Sequence, residues 1–257
     1  MDRPDTSPPT MMQRILASDF VFDFTRAPLA MLAAAVVLFL FIIAILAPLV
    51  APTNPFDPAS LNLMNGFTPP MTPNMFTGQS FVMGADDQGR DLLSAIIYGL
   101  RVSLFVGVMS VLLAMGIGVS LGLVAGYVGG WLDNLIMRIA DIQLTFPSIL
   151  IAMLIFGVLR GIIPPDLRDE MAIFVLIAAI GLSEWVPFAR TVRATTLVEK
   201  EKEYVQAARL IGLRRGQIMW RHILPNVIGP VLVIATITLA LATVSYTHLR
   251  AHETVSD

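Results

Sequence analysis

The sequence contains no cysteine and only three histidines, at His222, His248 and His252. The missing cysteine excludes disulfide bonds, thiolate metal ligands and cysteine nucleophiles. Three histidines, two of them in the last ten residues, are too few to build a histidine-based metal or catalytic centre. We therefore expect no metal site and no cofactor in this chain.

Lysine is also scarce, and its placement excludes one kind of nucleotide chemistry. A phosphate-binding loop needs Gly-Lys-Ser/Thr, whereas the only lysines, Lys200 and Lys202, each follow a glutamate. The sequence also contains neither G-x-S-x-G nor H-E-x-x-H. These absences predict that the chain itself is not an enzyme and does not hydrolyse ATP.

Charged residues make up only 14% of the 257 residues, against about 25% in an ordinary soluble domain. Hydrophobic residues make up 56%, and the mean hydropathy is +0.75. The formal net charge of -2 provides no basic surplus for binding nucleic acid. This composition predicts a membrane protein with no nucleic-acid partner.

Long apolar segments define the predicted architecture. A helix needs about 20 apolar residues to cross the hydrocarbon core of a bilayer. The first such segment has no charge and no good cleavage site, so we interpret it as an uncleaved anchor. Pro147 interrupts the third segment, and Glu184 lies inside the fourth. The sequence predicts an all-α, polytopic transmembrane helix bundle with five spans, at residues 29–50, 103–126, 142–159, 171–189 and 227–244.

The distribution of basic residues predicts the orientation, because lysine and arginine are retained on the cytoplasmic side. Residues 190–221 hold eight basic residues and are predicted to be inside. Alternation then places residues 1–28 inside and the loop of residues 51–101 outside. Twelve basic residues fall on the inner side and four on the outer side before the C-terminal tail.

Two features inside the predicted spans have alternative readings. Small residues in the second span share one helix face and predict tight helix packing, with a substrate-lining role as the alternative. They are Ala114, Gly118, Gly122 and Gly126. Glu184 is the only acidic residue in any predicted span, and it is either a structural carboxylate that reaches the interface or a functional one.

The predicted outer loop is rich in proline and is expected to be extended and turn-rich. It serves either as a spacer or as a contact surface for an external partner. Near its end we predict that Asp86, Gly89, Arg90 and Asp91 order the start of the second span.

The predicted cytoplasmic loop contains the strongest local pattern. Glu203 to Ile211 is predicted to form a helix that ends at Gly212, and Gln217 to Leu224 a second short amphipathic helix stopped by Pro225 and Asn226. From the residues alone, this pair is either interfacial on anionic lipid or a docking surface for another protein.

The same loop resembles the conserved cytoplasmic loop of inner-membrane permease subunits of bacterial ABC importers. Gln206-Ala207-Ala208, Gly212 and the segment from His222 to Pro225 follow that family's E-A-A-x3-G-x9-I-x-L-P pattern, with Gln206 in place of Glu and His222 in place of Ile. More specifically, the sequence resembles the C-type subunit of the branch for dipeptides, oligopeptides and nickel. That likeness covers roughly residues 20–243 and rests on residues 47–52, 84–91, 126–133 and 221–226.

The resemblance implies a MetI-like permease fold in the bacterial inner membrane, with the N-terminus in the cytoplasm. The chain would form half of an ATP-driven pathway for di- and oligopeptides, or for nickel or another small solute. Implied partners are a second homologous permease, two ABC ATPase subunits, an extracytoplasmic solute-binding protein and membrane lipid. The implied ATPase-coupling residues are Glu203, Gln206, Ala207, Ala208, Gly212, Leu224 and Pro225. The rival interpretation is a secondary transporter or a membrane scaffold with a lipid-binding basic loop.

The predicted organisation is a cytoplasmic segment (1–28), a first transmembrane helix (29–50), an extracytoplasmic loop (51–101) and a permease core (102–243) that contains the coupling loop (190–225). Family members have a sixth span after the fifth, whereas residues 244–257 are polar. That ending resembles a tail found on unrelated truncated translations. We therefore expect a non-native tail, and five spans of an expected six.

Overall fold

The protein is helical along most of its described length. A computed structural model describes residues 26–57 and 62–253, and within these ranges it contains ten α-helices and no β-strand. The predicted all-α class is confirmed. The chain divides into two compact units on either side of the Arg101–Val102 bond.

The first helix in the described part of the first unit is apolar and largely exposed. Helix α1 spans Pro28–Ile45, and Ala44 is its only buried residue. A helix that is apolar on all sides and exposed is suited to lipid. A short helix α2, Ala47–Val50, follows directly, so the two helices together cover the first predicted span.

The segment between α2 and the next helix consists mainly of turns, as predicted. It contains a 3₁₀ turn at Leu63–Asn65 and an isolated antiparallel bridge between Ala85 and Asp91. Helix α3 then spans Leu92–Val128. Its 37 residues correspond to about 55 Å of helix, which exceeds a hydrocarbon core of about 30 Å. The predicted second span, 103–126, lies inside this helix, which begins 11 residues before the predicted span.

Two bent helix pairs occupy the positions of the third and fourth predicted spans. Helices α4, Gly130–Leu144, and α5, Ser148–Ile162, meet at 97° at the break before Ser148. Helices α6, Arg168–Ser183, and α7, Trp185–Glu199, are separated at Glu184, where the axis bends by 41°.

These bends change the predicted boundaries. The prediction for residues 142–159 ran through the first break, and the break at Glu184 divides residues 171–189. Pro147 lies immediately before α5. Because its ring and missing N–H disrupt a helix interior, the chain forms two helices here and not one continuous span. By length and composition, three helices of the described chain are able to cross a membrane, or up to five if each bent pair is one span. The predicted five spans correspond to the upper count.

The last third of the described chain contains the predicted short helices. Helix α8 spans Glu203–Leu210, and a single turn, α9, spans Arg215–Gln217. A π-helical segment, Ile218–Ile223, leads directly into α10, Leu224–Glu253.

The prediction that Pro225 and Asn226 stop the helix was wrong, because α10 begins one residue before Pro225 and continues through both. The proline occupies the first turn of α10, next to a widened π-helical turn, where its missing N–H is tolerated. The side-chain amide of Asn226 donates to the His222 carbonyl at 2.7 Å, so this polar residue supports the helix.

The hydrophobic core of the second unit lies where α3, α7 and the beginning of α10 meet. Leu123, Phe188, Val192 and Val231 are completely buried there. A second, smaller cluster joins α3 and α4 to the first turns of α7 through Ala125, Ile136 and Trp185. The core therefore places α7 at the centre of the unit, and α8 continues from its C-terminal end.

Candidate functional site

Helix α8 ends in a glycine-dependent cap. Gly212 has φ +83°, its N–H donates to the Arg209 carbonyl at 3.0 Å, and the Leu213 N–H donates to the Ala208 carbonyl at 3.2 Å. These two bonds form a Schellman motif, in which a left-handed residue satisfies the last helical carbonyls. The helix predicted at Glu203 to Ile211 is thus present and one residue shorter, and Gly212 makes the turn.

The two alanines of the predicted motif lie on different faces of α8, about 100° apart around the helix axis. Ala208, together with Val205, is buried in the core against residues such as Ile218 and Ile223. Ala207 is exposed and lies on the same side as Leu210 and Ile211, which are 89% and 75% exposed. We call Ala207, Leu210 and Ile211 the outer face of α8. An exposed apolar face of this kind, beside a fixed inner face, is suited to contact with another surface.

The other predicted residues of the loop surround these faces. Glu203 and Gln206 are exposed, and the Gln206 amide donates to the Glu201 carbonyl at 2.9 Å. Leu224 is half-buried against the core, whereas Pro225 is exposed. The structure therefore brings all seven residues to one end of the second unit, with only Ala208 and Leu224 contributing to its interior.

A polar network that the sequence analysis missed fixes the beginning of α8. The Tyr204 hydroxyl donates to the Glu199 carboxylate at 2.6 Å and accepts from the Asn226 side chain at 3.1 Å. Lys202 pairs with the same carboxylate at 2.9 Å. Burial, followed by the hydrogen bond to Glu199, raises the pKa of Tyr204 to about 12. The network ties α8 to both α7 and α10, and its only sequence signal is a tyrosine among acidic and basic residues.

Charged and polar side chains connect α4 to α7 along their length. Arg193 forms a bidentate ion pair with Asp133, with 2.7 Å between Nη2 and Oδ2. Arg190 pairs with Asp141 at 2.5 Å. From sequence, these arginines indicated only the orientation of the chain. Their partners could not be predicted because the carboxylates lie about 50 to 60 residues away in the chain.

The stripe of small residues in α3 faces α7. A Cβ built on Gly118 would lie 2.5 Å from the Trp185 carbonyl oxygen, and one on Gly126 would lie 2.7 Å from Cβ of Thr196. A Cβ built on Gly122 would lie 3.0 Å from Cβ of Val192, and Ala114 is completely buried. The two helices thus approach backbone to backbone along three turns, which only glycine permits.

The predicted outer-loop residues form a compact turn before α3. Oδ1 of Asp86 accepts the backbone N–H groups of Gln88 and Arg90, at 2.9 and 2.8 Å, and its Oδ2 accepts Nε of Arg90 at 2.6 Å. Partial burial raises the carboxyl pKa, but the bonds from Arg90 and Gln88 outweigh burial and hold the pKa of Asp86 below its ordinary value. Gly89 closes the turn with φ +77°.

Asp91 caps α3. Its Oδ2 accepts the backbone N–H of Ser94 at 3.0 Å, the usual bond between an N-cap side chain and the third helical residue. The Ser94 hydroxyl in turn accepts from the backbone N–H of Thr53 at 3.1 Å. The four predicted residues therefore lie together at the beginning of α3. Glu184 is half-buried at the break between α6 and α7.

Comparison with known proteins places this arrangement among transport proteins. Residues 118–249 match the family described as "Binding-protein-dependent transport system inner membrane component", and residues 16–70 match "N-terminal TM domain of oligopeptide transport permease C". The dipeptide transport system permease protein DppC of Haemophilus influenzae is 34% identical over 252 residues, covering 95% of this chain and 80% of the relative. The oligopeptide permease protein OppC of Bacillus subtilis is 33% identical, covering 88% and 68%. The glutathione permease protein GsiD of Escherichia coli is 37% identical, covering 88% and 69%.

Proposed function

Because this chain belongs to the family of binding-protein-dependent inner membrane transport components, we propose that it forms half of the membrane pathway of a peptide-importing ABC transporter. The single observation that carries the proposal is the outer face of α8, an apolar surface held rigidly outside the helical core. The three relatives described above are named for the transport of dipeptides, oligopeptides and glutathione, and all of these solutes are peptides. We therefore assign short peptides as the substrate class, with nickel or another small solute as the alternative within the family.

The proposed role of α8 is to dock on an ATPase subunit. Its outer face supplies apolar contact area, and Gly212 lets the chain turn back towards the membrane immediately afterwards. Glu203 and Gln206 lie at the rim of this surface, and Leu224 and Pro225 begin the helix that returns to the membrane. ATP hydrolysis is assigned to the separate ATPase chains, and this chain receives the motion.

The inner face of α8 explains how that motion would reach the membrane helices. Val205 and Ala208 are inserted into the core, and Tyr204 is hydrogen bonded to Glu199 of α7. A displacement of α8 would thus move α7 and α10 with it as a rigid body. The ion pairs and hydrogen bonds between α7 and α4 extend this rigid connection across the unit.

The remaining predicted residues receive supporting roles. We assign the small residues of α3 to helix packing, and the turn from Asp86 to Asp91 to the extracytoplasmic side near the binding-protein contact. The N-terminus is then cytoplasmic, and the partners are a second permease, two ATPases, a solute-binding protein and lipid.

An Arg90→Ala variant should lose the side-chain bond that helps to close the Asp86 turn, and an importer with this variant should take up peptide more slowly. Unchanged uptake would contradict the role assigned to this turn.

A charge placed on the outer face tests the docking role. In an importer assembled with its ATPases and binding protein, Leu210→Glu should reduce peptide uptake and peptide-stimulated ATP hydrolysis at least about tenfold, because burying a carboxylate at a docked apolar contact is costly. Membrane insertion should be unchanged, since Leu210 makes little contact with its own chain. Gly216→Glu is the matched control, because Gly216 is exposed, lies on α9 and has no atom within 4 Å of its built Cβ.

Two results would contradict the proposal. Full uptake by Leu210→Glu would remove α8 from the coupling mechanism. Peptide uptake by vesicles that contain this chain without any ATPase would instead favour a secondary transporter. A Gly212→Glu variant, which breaks the cap as well as adding charge, should be as defective as Leu210→Glu.

A further inference from the structure

An open cleft of about 400 Å³ lies between the C-terminal end of α3 and the turn that joins α8 to α9. None of the roles assigned above uses it. Its volume lies at the lower end of the range for small-ligand sites. The lining residues are Tyr127, Val128, Arg209, Leu213, Arg215 and Ile218.

Two arginines in this cleft lack acidic partners. Among the residues that the structure describes, no carboxylate lies within 4.0 Å of Arg209 or Arg215, whereas Arg190 and Arg193 of the same unit each have one. A guanidinium group offers a planar set of donors that matches the oxygens of a phosphate group. The cleft therefore presents two uncompensated charges of the type that binds phosphate.

One of these arginines is held in place by an aromatic ring. The Cζ atom of Arg209 lies 5.2 Å from the centroid of the Tyr127 ring, which is a cation–π arrangement. The ring orients the guanidinium without using its hydrogen-bond donors. Arg209 is thus positioned to bind an anion with a smaller loss of side-chain entropy than a free arginine would have.

The position of the cleft indicates the source of the phosphate. Tyr127 and Val128 end the long apolar helix α3, directly after the predicted span 103–126. Because Tyr127 directly follows an apolar span, we place the cleft at the level of lipid headgroups, where tyrosine and arginine are enriched and basic pockets between helices bind anionic headgroups. We infer that this cleft binds the phosphate group of an anionic phospholipid, with Arg209 and Arg215 as its ligands and Tyr127 as the platform for Arg209.

A binding assay on the full chain in nonionic detergent tests this site. The probes are short-chain phosphatidylglycerol, short-chain phosphatidylcholine and inorganic phosphate. We expect phosphatidylglycerol to bind, and the double variant R209Q/R215Q to bind it about thirtyfold more weakly, since each basic residue contributes about 1 kcal/mol to anionic-lipid binding. The control R221Q removes an exposed arginine that does not line the cleft, and it should change the affinity less than about twofold.

A conservative variant guards against a folding defect. Arg209→Lys keeps the charge but loses the planar donor set, so it should retain the fold and bind phosphatidylglycerol with intermediate affinity. Equal binding of phosphatidylglycerol by the wild type and R209Q/R215Q would overturn the site, and the arginines would then be assigned to contact with an acidic protein surface. Inorganic phosphate that binds as tightly as phosphatidylglycerol would assign the cleft to a free anion and overturn the lipid source, and equal binding of phosphatidylcholine would remove the charge requirement. The assay contains no ATPase, so its outcome is independent of the proposed transport function.

Discussion

The side-chain carbonyl of Gln143 accepts a 2.8 Å hydrogen bond from the indole Nε1 of Trp185. Gln143 lies at the end of α4, immediately before the 97° bend, and Trp185 is the first residue after the 41° bend. The Gln143 amide also donates to the Ser183 carbonyl at 2.9 Å, at the end of α6 where helical carbonyls lack partners. The two breaks are therefore hydrogen bonded to each other, so a change in one bend that moves Gln143 would disrupt these bonds.

The ion pairs between α4 and α7 should differ in energy because they differ in exposure. The side chains of Arg193 and Asp133 are 33% and 12% exposed, and those of Arg190 and Asp141 are 48% and 53% exposed. A double-mutant cycle with Arg193→Gln and Asp133→Asn should give a coupling free energy of about 1–3 kcal/mol for unfolding in detergent. The matching cycle for Arg190 and Asp141 should give less than about 1 kcal/mol. Equal values for the two pairs would mean that exposure does not set their strength.

Because α3 and α7 approach closely, a single methyl group added between them should lower the free energy of unfolding. Gly122→Ala would place a Cβ about 3.0 Å from Cα of Ala189 and from Cβ of Val192. Overpacking of this kind costs about 1–3 kcal/mol in unfolding free energy. Gly116→Ala in the same helix has no atom within 4 Å of the new Cβ and should change stability by less than about 0.5 kcal/mol. Thermal or denaturant unfolding of both variants in the same detergent makes the comparison, and similar losses would contradict the packing role.

The helices and their caps could be predicted from sequence because they depend on local chemistry. The run from Glu203, the stop at Gly212 and the small-residue spacing from Gly118 to Gly126 all act within a few residues, and the structure has each feature at the predicted place. The prediction that a helix ends at Pro225 was wrong because the local effect of proline depends on the preceding turn. The preceding π-helical turn and the Asn226 side chain allow that helix to continue.

Contacts between residues distant in sequence could not be predicted. Asp133 and Arg193 are 60 residues apart, and Gln143 and Trp185 are 42 apart, so no periodicity relates them. The distinction between Ala207 and Ala208 also required the structure, because adjacent helical residues point about 100° apart and only the packing of α8 decides which one is buried. The helix Glu203–Leu210 and its cap at Gly212 were therefore predictable, whereas the hydrogen-bond network that anchors them was not.

Two glycines in the segment before α3 allow the effect of backbone strain to be distinguished from the effect of a steric collision. Gly89 and Gly78 both have positive φ, +77° and +68°, so an alanine at either position carries similar backbone strain. At Gly89, however, the new Cβ would collide with the Asn62 carbonyl, whereas at Gly78 no atom lies within 4 Å. Gly89→Ala should therefore increase hydrogen exchange at the amides of Gln88 and Arg90 much more than Gly78→Ala does at its own turn. Equal effects would show that strain alone governs the Asp86 turn.

The hydroxyl of Tyr204 should titrate well above its ordinary range. Burial and the Glu199 carboxylate raise the pKa of Tyr204 to about 12 from the ordinary value of 10.0. Because the folded-state pKa is raised, the stabilisation from this hydroxyl is complete below pH 10 and is lost as the pH rises towards 12. The tyrosinate absorbance of the wild type minus that of Tyr204→Phe should therefore show a midpoint near 12, and a Glu199→Gln variant should lower that midpoint by removing the anionic acceptor. A midpoint near 10 in the wild type would mean that Tyr204 does not hold α8 to Glu199 in solution, and that the path for motion from α8 to α7 depends on the apolar contacts of Val205 and Ala208 alone.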